Sequence, residues 1–138
     1  MSDHAQPYDF EQARRAVTTA SQNMKAAEDF TRKAFENAAS AERAYRVALA
    51  QKIVELHADG AAWTVCQDLA RGDKTVAGLR YLRDVAEGVK EAAQTSTWRH
   101  TADRKDLSKL VDWSMRVAPL GQSEPPHGFD DVTARRAA

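Results

Sequence analysis

The sequence predicts an all-α protein: a long antiparallel helical hairpin with coiled-coil seams, a short connecting helix and a disordered C-terminal tail. Three observations carry that prediction. Alanine recurs every seventh residue at Ala13, Ala20, Ala27, Ala34, Ala41 and Ala48. Three residues ahead of each stands Phe10, Val17, Met24, Thr31, Ala38 or Tyr45, so an a/d heptad pattern runs through the first third of the chain. Such a repeat marks a helix whose seam packs on another helix. Between Asp9 and Ala58 there is neither glycine nor proline, and strong helix formers dominate. From Leu79 onward a second run of three- and four-residue spacings follows through Leu82, Ala86, Val89, Ala93, Ser96, His100, Asp103, Leu107, Leu110, Ser114 and Val117.

Taken in order, residues 1–8 are a polar lead-in containing Pro7. Asp9 is the expected N-cap of the first helix, with Gln12 as its capping-box partner. That helix spans 9–58, about 75 Å at 1.5 Å per residue. His57 suits its carbonyl end and Gly60 its stop. Thr64 and Gln67 have capping-box spacing, which predicts a short helix over 65–71 ended by Gly72. Asp73 caps the third element, a helix over 74–117 with a bend expected near 95–103, where Thr95, Ser96 and Thr97 weaken helix. Residues 9–118 are read as one helical domain. Pro119 ends it, and 119–138, with Pro125-Pro126, is the expected disordered tail.

A connector of about 15 residues makes antiparallel packing the natural outcome. The expected seam consists of the six alanines with Tyr45 from the first helix, and of Leu79, Leu82 and Val89 from the later one. Methyls on one helix admit bulkier side chains from the other. Such a seam buries little apolar surface, so Phe30, Phe35, Tyr45 and the tryptophans call for self-association or a protein partner. If the later helix bends, the first 30 residues of helix 1 become an uncovered arm.

Composition narrows the function. Lys plus Arg and Asp plus Glu number 20 each. No global charge therefore calls for nucleic acid or an anionic membrane, and there is no acidic excess of the kind a DNA mimic carries. One cysteine, Cys66, excludes an internal disulfide. No secretory leader and no membrane-length apolar run is present, so a soluble, cytoplasmic protein is expected.

Catalytic and cofactor motifs are missing. His4, His57, Cys66, His100 and His127 have no metal-ligand spacing. Cys66 has no histidine in its motif, and the six glycines form no phosphate-binding loop. No enzyme, metal or cofactor is expected. His100 and Asp103 fall on the seam three residues apart, as a candidate buried polar pair or a register-setting layer. Trp98, Arg99, Arg104, Lys105, Lys109, Trp113 and Arg116 form a candidate nucleic-acid face with interleaved aromatics. A helix-turn-helix across Gly72-Asp73 is disfavoured by its offsets and by the length of the second helix.

Three segments carry a resemblance: Ala41-Glu42-Arg43-Ala44-Tyr45-Arg46, Leu69-Ala70-Arg71-Gly72-Asp73, and Trp98-Arg99-His100-Thr101-Ala102-Asp103-Arg104. Over about 41–118 the chain resembles small helical proteins encoded by bacteriophages of actinobacteria. Those proteins have no assigned chemistry, and some lie among early genes near recombination or replication functions. The resemblance implies a phage-encoded, cytoplasmic, non-enzymatic accessory protein and supplies no catalytic residue. The expected function is thus a phage or prophage interaction protein, pairing through helices with itself or with a host or phage protein. The alternatives are a nucleic-acid-binding accessory of recombination or replication, and a structural component of the virion.

Overall fold

The computed structural model describes residues 10–117. They form three helices, α1 (Phe10–Ala58), α2 (Trp63–Gly72) and α3 (Lys74–Val117), with no strand among the described residues. The expected lead-in, the Asp9 cap and the tail lie outside those residues. α1 and α3 pack side by side as a long helix pair. Contacts divide the chain into two compact units, one holding residues up to 27 and from 97, the other 28–96.

In the 28–96 unit, partners descend along α3 as they ascend along α1. The Thr31 hydroxyl donates to the Ala93 carbonyl at 3.1 Å. Lys90 lies over the Phe35 ring and Arg83 over the Tyr45 ring, at 5.2 and 4.5 Å from the centroids. Glu42 meets Arg83 at 3.6 Å, and Lys52 meets Asp73 at 3.6 Å. This ladder is antiparallel. A threonine hydroxyl can reach a main-chain carbonyl on the facing helix only where the backbones are close, and Ala34 and Ala38, both buried, permit that approach.

The other unit is built on the same rule. Thr97 donates to the Ala27 carbonyl at 3.4 Å. Ala13 and Ala20 are buried, as are Leu107, Leu110 and Ser114 on α3, and the Ser114 hydroxyl is satisfied by the Leu110 carbonyl at 2.8 Å. The N-terminal part of α1 is therefore covered, not an uncovered arm. α3 also stays helical through 95–103. Two of the three residues expected to weaken it have their hydroxyls absorbed: Thr95 bonds Glu91 four residues back, and Thr97 bonds across to α1; Thr101, one turn on, bonds the Thr97 carbonyl.

The connector departs from expectation at one end. α2 begins at Trp63, with Ala62 at the cap position and no side-chain cap, so Thr64 is inside the helix rather than capping it. Stacking supplies the anchor instead: the Trp63 ring lies 3.8 Å from the His57 ring, whose Nδ1 is 3.0 Å from the Ala61 carbonyl. Gly60 makes the turn with φ of 101°, a conformation costly for any other residue. Cys66 and Ala70 are the buried face of α2. At the next junction Asp73 closes α2 through its N–H and opens α3 through its carboxylate, which accepts from Thr75 and Val76 at 3.0 and 3.2 Å.

Candidate interaction surfaces

The interior of the 28–96 unit is thin. Of its large apolar residues only Tyr45, Cys66 and Val76 are buried. Tyr45 is therefore an interior residue and not part of a face awaiting cover. The seam alanines Ala13, Ala20 and Ala34 are buried; Ala27, Ala41 and Ala48 are half-buried, as is Leu79.

Leu82 and Val89 are not in the seam. They are 56% and 43% exposed, and Arg83 and Lys90 take the inward column. Both columns satisfy a seven-residue repeat, and hydropathy favours the leucine–valine one. The structure turns α3 the other way because the bulky rings on α1 need flat cover. The Arg83 guanidinium and the Lys90 ammonium themselves lie over the Tyr45 and Phe35 rings and at the same time pair with Glu42, Asp84 and Glu87. Asp84 and Glu42 hold the Arg83 guanidinium above its ordinary pKa, the Asp84 hydrogen bond counting most.

Among the described residues, two further groups are shifted where α1 meets the α2–α3 junction. Hydrogen bonds from the Val76 and Thr75 amides, with Lys52 nearby, keep the Asp73 carboxyl below its usual range against partial burial. Lys52 is raised, chiefly by its hydrogen bond to Glu55.

His100 and Asp103 are half-buried, and no hydrogen bond or ion pair joins them. The expected buried pair is thus not formed, because the seam at this level stays partly open to water. The seven residues of the candidate nucleic-acid face are split. Trp98, Lys105, Lys109 and Arg116 recur at helical spacing on one solvent side of α3, and Trp98 is 74% exposed. Arg99 and Arg104 fall on opposite flanks of that side, Trp113 is half-buried, and Lys109 is paired with Asp106 at 3.4 Å. Among the described residues no three acidic, histidine or cysteine side chains converge as metal ligands, and no helix is long and apolar enough to cross a membrane.

What remains prominent is exposed apolar surface. Val47 and Val54 on α1, Val65 and Leu69 on α2, and Tyr81, Leu82, Val85 and Val89 on α3 all face solvent within one unit. Its hydropathy pattern could have announced this: more large apolar residues are present than a two-helix seam can enclose. Comparison of the chain with protein-family models, curated proteins and solved structures gives no match.

Proposed function

We propose that this chain is a non-catalytic helical interaction protein of a phage or prophage, acting through helix–helix contacts with itself or with a protein partner. One observation carries the reading: the 28–96 unit turns most of its large apolar side chains outward while its interior is filled by alanine, cysteine and a few larger groups. Exposed large apolar side chains in this number support an association site. The phage assignment rests on the resemblance over 41–118. The test is affinity capture with tagged protein from cells that carry the phage or prophage, combined with the solution mass of the purified chain. Specific capture or self-association supports the proposal; a chain that remains alone in both experiments refutes it.

The exposed Trp98 beside Lys105, Lys109 and Arg116 favours a second reading, in which α3 also contacts a nucleic-acid backbone. Binding to DNA that weakens steeply with salt, and is lost on K105A/K109A/R116A, would establish it. No shift at low salt would end it.

A further inference from the structure

We infer that one side of the 28–96 unit is the interface for a second copy of this chain, which lies on it as a second two-helix layer. The inference rests on the interaction reading above and assigns it a face and an occupant.

With Ala34 and Tyr45 at d and a on α1, and Leu79 and Arg83 at d and a on α3, the flanking positions are fixed. An antiparallel pair places the g positions of both helices on one side of the seam and the e positions on the other. On the g side α1 presents Phe30, Asn37, Ser40, Ala44, Val47 and Gln51, with Lys33 its one charge. The same side of α3 presents Gly78, Leu82, Val85, Val89, Ala92 and Ser96, with no charge. The e side carries Glu42, Arg46, Arg80, Asp84, Glu87 and Glu91. One side of the unit is thus charged and the other nearly uncharged.

The uncharged side fits itself. A two-fold axis along the helix pair sets α1 of one copy over α3 of the other, antiparallel and at the same level. The ladder that pairs Thr31 with Ala93, Glu42 with Arg83 and Lys52 with Asp73 gives the level. Ala44 then faces Leu82 of the second copy, Ser40 faces Val85, Asn37 faces Val89, Val47 faces Gly78, and Phe30 faces Ser96. At each level a larger side chain meets a smaller one. A shallow hollow lies along α1 between Ser40, Ala44, Val47, Ala48 and Gln51, with Arg43 at its outer edge, and Leu82 and Val85 would enter it.

The area is sufficient. Phe30, Val47, Leu82, Val85 and Val89 are between 43% and 57% exposed. Together they offer on the order of 500 Å² of apolar surface, and the small residues between them bring the face toward the ~800 Å² per partner of a stable complex. A partner chosen by charge would find only Lys33 and, at the outer edge, Arg43 to read on this side; a second copy with the same sparse charge needs nothing more.

The test is the solution mass of the full chain, 15.3 kDa as a monomer, by light scattering at about 50 µM, a level that populates a micromolar dimer. Wild type should give twice the monomer mass. L82K/V85K should return it to the monomer with its helical circular dichroism kept, since both side chains are exposed in the single chain. R80E/E91K, on the e side, should remain dimeric. In a C66A background, separately purified A44C and L82C chains should form a mixed disulfide when combined, a readout independent of the lysine variants. A wild-type monomer, a dimer that survives L82K/V85K, or dissociation by R80E/E91K overturns the inference. A wild-type monomer that captures another protein, and loses it on L82K/V85K, overturns the second copy and keeps the interaction reading. A monomer that captures nothing overturns both.

Discussion

Enlarging Ala34 tests the closeness of the helices directly. Its side chain is 3% exposed, one turn from the Thr31 hydroxyl that reaches the Ala93 carbonyl at 3.1 Å. Ala34→Leu adds three carbons. Were there room, burying them would stabilise by roughly 0.8 kcal/mol each. The Thr31–Ala93 contact leaves no such room, so α1 and α3 must separate or the leucine must leave its rotamer. The net expectation is a loss of about 1–3 kcal/mol. Separation would also break the threonine contact, a further loss of about 1 kcal/mol. Ala39→Leu is the matched control: same helix, same change in helix propensity, but an exposed side chain. It should stay within about 0.5 kcal/mol of wild type. Urea unfolding followed by circular dichroism, at one fixed protein concentration, measures both. An Ala34→Leu protein as stable as wild type would refute close apposition, and equal losses in both variants would show that the leucine acts through the helix rather than the seam.

Three further outcomes follow from named sites. Gly60→Ala and Gly88→Ala should act in opposite directions. The first forces a side chain into φ of 101° and should lower stability by about 1–2 kcal/mol, whereas Gly88 sits in a helix with nothing within 4 Å of an added methyl and its replacement should raise stability by roughly 0.5–1 kcal/mol; thermal melts of the two decide. Leu110→Ala, at a 2% exposed position, should cost about 2–5 kcal/mol in the same denaturation assay; a loss near zero would mean that the unit it belongs to is not packed there. Asp73 has a folded pKa below its ordinary 3.8, so its charge supports the fold above that value and the support disappears as pH falls through the lower folded value. Asp73→Asn keeps a capping oxygen without the charge; its urea midpoint should lie below that of wild type at about pH 6 and converge with it near pH 2.

Much of the fold could be read from residue spacing. The glycine- and proline-free run, the alanine column and the Asp73 cap are local properties, and they placed α1, the start of α3 and the inward face of α1. The Leu79–Ala86–Ala93 column was legible for the same reason. The start of α2 was not, because it carries no capping side chain and lies at a His57–Trp63 ring stack, a tertiary contact that residue spacing does not reveal. Nor was the continuity of α3, since whether residues such as Thr95 and Thr97 break a helix depends on the carbonyls within their reach.

Sequence by itself determined that two long helices would meet along a line of methyls, because a seven-residue repeat of small side chains has one economical use. Only tertiary structure decided which way α3 turns about its own axis. Two columns, Leu82–Val89 and Arg83–Lys90, obey the same period, and hydropathy ranks them in the wrong order. The choice rests on Tyr45, Phe35 and Glu42, residues 38 to 55 positions from Arg83 and Lys90 in the chain, whose rings and carboxylate attract cationic ends that a leucine or valine lacks. That rotation sends the leucine and valines outward and so creates the face on which the association proposal stands.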